Sequence, residues 1–202
     1  MFLNTALIIP YILFFIPALI IHEFSHAYIA DKLGDPTPKA MGRLTINPFA
    51  HLDLVGTLAI FLIGFGWAKP VPINPYNFKN IRRDTALVSL AGPAANFALA
   101  ILGLIILYFI GNNWFLEPFI LINIVLGTFN LIPLGPLDGF KIVSGILPTK
   151  MAIQWEESSK LTYILLIILL ILPINGQTVI SMYLQIILDL LSKLFPAILI
   201  SF

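Results

Sequence analysis

The sequence predicts an all-α polytopic membrane protein, and three observations predict it. Hydrophobic residues make up 59% of the 202 positions and charged residues only 10%, with a mean hydropathy of +0.98, so water is not the main solvent of the folded chain. Apolar runs recur along the whole length, at 2–21, 86–110, 119–132, 161–172 and 179–200, and several approach the roughly 20 residues that cross a hydrocarbon core. The 11 Lys and Arg are lopsided, with none in the connections 111–118 and 173–177.

The first run lacks a basic opening and a small-residue cleavage site, and it continues directly into polar residues, so it reads as a helix and not as a signal peptide. With basic residues kept on the cytoplasmic face, the chain enters through this helix, exits through 86–110 and re-enters after Glu117. It then leaves through 161–172 and returns by the last helix, which makes five crossings. That last helix carries Asp189 and Lys193 at i,i+4, a pairing equally suited to an amphipathic helix at the interface.

The apolar stretch 55–67 does not fit this count, because both flanks are equally basic and it is too short to span comfortably. It reads as a re-entrant or interfacial element, with short extended strands at 42–46 and 69–73 that need shelter from lipid. The expected division is a membrane core over 1–148 and additional C-terminal membrane helices over 149–202. Cysteine is absent, so any metal must be held by His and carboxylates. A net charge of +1 makes nucleic acid an unsuitable partner.

The chemistry begins at His22-Glu23-Phe24-Ser25-His26, an HExxH motif near the inner end of the first helix. Residues i and i+4 share a helix face, so both imidazoles can ligate one Zn2+ while Glu23 reaches a bound water as general base. Three ionisable groups within five positions of an apolar helix are costly and mark function. A catalytic zinc needs a third protein ligand. The metzincin pattern is excluded, because Ile29 and Lys32 stand where it needs Gly and His.

Asp31, Asp35, His51 and Asp53 are nearby ligand candidates, the first two too close along the same helix end to fold back easily. Asp138 is a better one, because Pro133, Gly135 and Pro136 interrupt an apolar helix and let its carboxylate face inward. Depth agrees: His22 to Asp31 is roughly 13 Å of helix and Asp138 to Pro148 about 15 Å, so the three groups sit at one level. His51 follows the Asn47-Pro48 turn, with a role beside a carboxylate or in tying the loop. Asn96 reads as a packing residue between helices, and Asp53 as the cap of the following element.

Beyond the HExxH motif, the stretches 42–57 (GRLTINPFAHLDLVGT), 67–75 (WAKPVPINP), 91–96 (AGPAAN) and 130–139 (NLIPLGPLDG) strongly resemble, in unbroken order, the site-2 protease family of intramembrane zinc metalloproteases, peptidase family M50. The resemblance implies that His22, His26 and Asp138 bind one zinc ion per chain and that Glu23 is the catalytic acid/base. It also implies that Asn130 lies at the active site, holding substrate backbone or the developing oxyanion. The family's three-helix core maps onto 2–30, 86–110 and 119–147, leaving two further C-terminal helices. No inserted PDZ-like domain or C-terminal regulatory domain is visible.

The implied substrate is a transmembrane protein or peptide, cleaved within the bilayer near the cytoplasmic side, with the extended elements holding its unwound segment by strand addition. A metal transporter would need a series of polar sites through the bilayer, and the outer half of this chain offers little beyond Asn112, Asn113 and Asn123. A non-catalytic membrane scaffold would have no use for Glu23.

Overall fold

The computed structural model describes residues 5–56, 68–111, 113, 115–174 and 176–194. The chain is mostly helical. Helix α1 (Thr5–Leu33) is followed by two single-turn helices, α2 (Thr37–Ala40) and α3 (Pro48–His51), and by a 3-10 turn at Pro75–Asn77. Then come the long α4 (Ile81–Ile110), α5 (Leu116–Asn130), α6 (Asp138–Ile146), α7 (Thr149–Glu157) and α8 (Ser159–Ile171). A two-residue hairpin, β1 (Pro173–Ile174) against β2 (Gln177–Thr178), turns through Gly176 (φ +82) into α9 (Val179–Leu194).

Helix α4 organises the bundle, packing against α1, α5 and α6. Its start is set by a reciprocal pair: Arg83 N donates to Asn80 Oδ1 (3.1 Å) and Asn80 N donates to Asp84 Oδ2 (3.0 Å), a variant of the capping box. Its buried residues include Val88, Gly92, Asn96, Ala100, Gly103 and Leu107, a stripe with steps of three and four that stays on one face. Helix α1 answers with Ala18, His22, His26 and Ala30, all buried and each four apart. Between apolar helices in lipid, close packing of small residues replaces the hydrophobic drive available in water. The histidine stripe of α1 is therefore also its packing stripe.

The 119–147 helix divides in two, as the prolines imply. Helix α5 ends at Asn130 and α6 starts at Asp138, and the turn between them contains Pro133 and Pro136. A Cβ on Gly139 would come within 2.2 Å of the Leu131 carbonyl oxygen, so only glycine lets the new helix start against the old one. Helix α7, which the hydropathy pattern does not separate, buttresses α6. Trp155 Nε1 donates to Phe140 O (2.9 Å), the two rings stack at 5.1 Å, and Ser144 Oγ donates to Glu156 Oε1 (2.6 Å). Arg82 of α4 donates to Thr149 Oγ1 and to the Ser144 carbonyl.

Among the described residues, two helices are long and apolar enough to cross a membrane, Leu13–Leu33 and Ile81–Ile110. Leu116–Asn130 and Ser159–Ile171 are apolar but shorter, and 15 residues of α5 extend only about 22 Å, less than a hydrocarbon core of about 30 Å.

The strands expected at 42–46 and 69–73 do not form. Gly42 (φ +68) turns the chain, and the pairing in this region among the described residues is one bridge between Leu52 and Ala68. The reason is local: Pro70 and Pro72 have no N–H for a ladder, and the Arg43 guanidinium takes the carbonyls of Lys69 and Pro70 instead. Asp53 does cap the next turn, accepting from Gly56 N at 2.8 Å. Most of the stretch read as re-entrant, 57–67, lies outside the described residues.

Candidate metal centre

His22 and His26 lie one helical turn apart on the buried face of α1, and their rings meet edge to face at 4.6 Å. The first residue of α6 meets them. Asp138 Oδ2 is 3.1 Å from His22 Nε2 and 3.2 Å from His26 Nε2, and one ligand atom from each of the three lies within 4.8 Å of the others. Tetrahedral zinc with bonds of about 2.0–2.1 Å places neighbouring ligand atoms about 3.3 Å apart. The two imidazole nitrogens and the carboxylate oxygen therefore fit a zinc ion in both type and spacing.

Nδ1 of each ring is engaged, which leaves Nε2 as the ligating atom. His26 Nδ1 lies 2.7 Å from the Val88 carbonyl oxygen, which can only accept, so Nδ1 carries a proton and Nε2 faces Asp138. His22 Nδ1 lies 2.6 Å from Asn96 Oδ1 and is protonated for the same reason. The backbone of α4 comes unusually close at this level. A Cβ on Gly92 would stand 2.4 Å from His26 Nε2 and 2.6 Å from His22 Nε2, so the metal-facing edges of both rings occupy the space a side chain would fill.

Glu23, between the histidines, is half-buried, and its Oε2 accepts from Val71 N at 3.3 Å. The segment carrying Val71 is anchored at both ends. At one end Lys69 N donates to His51 O (2.8 Å), and Arg43 donates to the carbonyls of Ala50, Lys69 and Pro70. At the other, buried Asp35 accepts from Asn74 N (2.7 Å) and Asn77 Nδ2 (2.7 Å), and also from the amide (3.1 Å) and hydroxyl (2.6 Å) of Thr37. Burial pushes the Asp35 carboxyl upward, but the donors from Thr37, Asn77 and Asn74 together hold it below the usual carboxylate value.

His22, His26 and Asp138 thus converge, with Glu23 next to His22 on α1. His51 lies outside this ligand group: it is fully buried, its Nε2 bonds the Thr45 carbonyl at 2.7 Å, and its Nδ1 has no partner among the described residues. Asp35 is a clamp for the 74–77 turn, and Asp53 is a cap. Asn130 ends α5, and its Nδ2 donates to Leu126 O (2.9 Å) one turn back, so one of its two N–H groups is engaged within its own helix. Asn96 is the residue sequence reasoning undervalued, because a packing amide and an amide that holds a ligand look alike in one dimension. The position of Val88 had no signal at all, since its contribution is a backbone carbonyl.

The model of peptidase family M50 matches residues 110–172, which include Asp138. A Bacillus subtilis protein named as a zinc metalloprotease, YwhC, is 38% identical over 205 residues, covering 95% of this chain and 93% of its own length. Rip2 of Mycolicibacterium smegmatis, also named as a zinc metalloprotease, is 29% identical over 77% of this chain and 64% of its own. A zinc metalloprotease of Methanocaldococcus jannaschii is 30% identical over 69% of this chain and 34% of its own. No solved structure matches the chain significantly.

Proposed function

The chain belongs to peptidase family M50, and from that premise we propose that its intramembrane zinc site is built by His22, His26 and Asp138, with Glu23 as general acid and base. The protein is an intramembrane zinc metalloprotease and zinc is its cofactor. The observation that carries the assignment of residues is the convergence of three ligand atoms from α1 and α6 within 4.8 Å.

Zinc held there supplies Lewis acidity, polarising a peptide carbonyl and making water a better nucleophile near neutral pH. The chain's own groups do the rest. Val71 N–H holds one oxygen of Glu23 and leaves Oε1 free to take the proton from the attacking water. Glu23 then returns that proton to the departing amine as the C–N bond breaks, the usual double role of a positioned carboxylate. Asn130 contributes its second N–H to the substrate carbonyl or backbone. His22 and His26, held through Nδ1, keep Nε2 aimed at the ion without a change of tautomer during the cycle.

The substrate in this reading is a transmembrane segment that unwinds to present its carbonyls, since a helix in lipid hides them in its own hydrogen bonds. The chain crosses the bilayer several times, with the centre towards the cytoplasmic side, where Lys32, Lys39, Arg43, Lys69, Lys79, Arg82 and Arg83 cluster. The test pairs zinc content with turnover. Purified wild type binds one zinc and cleaves a model transmembrane substrate, His22→Ala and Asp138→Ala lose the metal, and Glu23→Gln keeps the metal and stops cleavage. Turnover surviving in Glu23→Gln, or full zinc in Asp138→Ala, would overturn the assignment.

A further inference from the structure

Two asparagines lie fully buried between apolar helices, Asn96 on α4 and Asn123 on α5. Their hydrogen bonds run in one direction. Asn123 Nδ2 donates to the Phe119 carbonyl (2.9 Å), which obliges its Oδ1 to face Asn96. Asn96 Nδ2 donates both to that Oδ1 (3.0 Å) and to the Ala18 carbonyl (3.2 Å). With both amide hydrogens committed, Asn96 Oδ1 is left to accept from His22 Nδ1 at 2.6 Å. Two backbone carbonyls, which can only accept, therefore fix the orientation of both amides and the site of the proton on His22.

We infer that Asn96 and Asn123 form an amide relay whose task is to select the metal-binding tautomer of His22, with Asn96 orienting the ring and Asn123 preventing Asn96 from flipping. The inference rests on the proposed centre and deepens it.

The competing state is concrete. A neutral imidazole can carry its one proton on either nitrogen, and only the Nδ1–H form leaves Nε2, the atom that faces Asp138 at 3.1 Å, to ligate. A hydrogen-bond acceptor on Nδ1 selects that form. A flipped Asn96 would present a donor to Nδ1 and favour the wrong tautomer. The flip would also set its Oδ1 against Asn123 Oδ1 and the Ala18 carbonyl, leaving buried acceptors facing one another without a donor. Asn123 never touches His22, yet it decides which face of the Asn96 amide His22 meets. Neither residue touches substrate, so both are positioning residues.

The experiment uses the full chain with Asn96→Leu, Asn96→Asp and Asn123→Leu, together with His22→Ala and Asp138→Ala as controls for the centre. Zinc affinity is measured by chelator competition, and the His22 tautomer in the zinc-free protein by imidazole 15N shifts. Loss of an outer partner of a metal-bound histidine weakens binding by about 10–100-fold, so Asn96→Leu should fall in that range, and Asn123→Leu by about 10-fold. Both should move the zinc-free His22 towards the Nε2–H form. Asn96→Asp, which keeps an acceptor for Nδ1–H, should restore the Nδ1–H signal and much of the affinity. In turnover, the Leu variants should lower kcat with little change in KM.

If the controls lose zinc while both Leu variants retain wild-type affinity and the Nδ1–H signal, the relay is refuted and the centre stands. If the controls keep zinc, the centre itself fails. A fall in thermal stability with no tautomer shift would make the amides packing residues and also refute the relay.

Discussion

Replacing Gly92 by alanine adds one methyl group where α4 faces the metal-binding edge of both histidines. That Cβ would lie 2.4 Å from His26 Nε2 and 2.6 Å from His22 Nε2 and Cε1, whereas ordinary contact begins at 3.4 Å. The rings or the helix must then give by about 1 Å at His26 and about 0.8 Å at His22. Metal ligands tolerate displacements of only about 0.2 Å, and neither ring can retreat without stretching its bond to Asn96 Oδ1 or Val88 O, at 2.6 and 2.7 Å. A misplacement of about 1 Å costs on the order of 100-fold in a positioned site. Gly92→Ala should therefore weaken zinc binding by at least about 100-fold. Alanine favours helix over glycine by about 1 kcal/mol, so secondary structure should be retained. Zinc content after dialysis against a chelator reads the first effect and far-UV circular dichroism the second. Zinc affinity within about threefold of wild type would refute the claim that the glycine makes room for the ligands.

Four further outcomes follow from the same geometry. Asp35→Ala strands the donors of Thr37, Asn74 and Asn77 and should lower stability by about 2–3 kcal/mol, read as the melting temperature in detergent. Because the folded-state pKa of Asp35 is lowered, its stabilisation is complete above the unfolded carboxylate value and is lost as pH falls through the folded value. Wild type should therefore lose stability on acidification below about pH 4 more steeply than Asp35→Asn, and parallel curves would count against the clamp. Arg43→Lys cannot bridge the carbonyls of Ala50, Lys69 and Pro70 with one ammonium. It should lower kcat roughly 10-fold by loosening Val71 at Glu23, with zinc content unchanged. Gly145→Val drives a Cβ to 2.3 Å from Ala86 Cβ and 2.9 Å from Arg82 O, so α6 should shift and carry Asp138 away, lowering zinc occupancy although residue 145 touches no ligand.

Local sequence was enough for the features set by helical periodicity and by prolines within the core helices. Helical periodicity alone places His22 and His26 on one face with Glu23 beside them, and prolines at 133 and 136 break the third core helix so that Asp138 opens a new one. The same prolines-and-periodicity logic misjudged 42–46 and 69–73, where β-compatible residues suggested strands but Pro70 and Pro72 withhold ladder donors and Arg43 takes the carbonyls. What only the tertiary structure decided is which distant groups meet. That Asp138 closes on two imidazoles 116 and 112 positions away, and that Asn96 serves His22, are consequences of α4 packing closely against α1, α5 and α6. So is the approach of Gly92 to both rings. Hydrogen-bond direction and interhelical distance are properties of pairs brought together by folding, and an apolar helix written as a string carries no record of its partner.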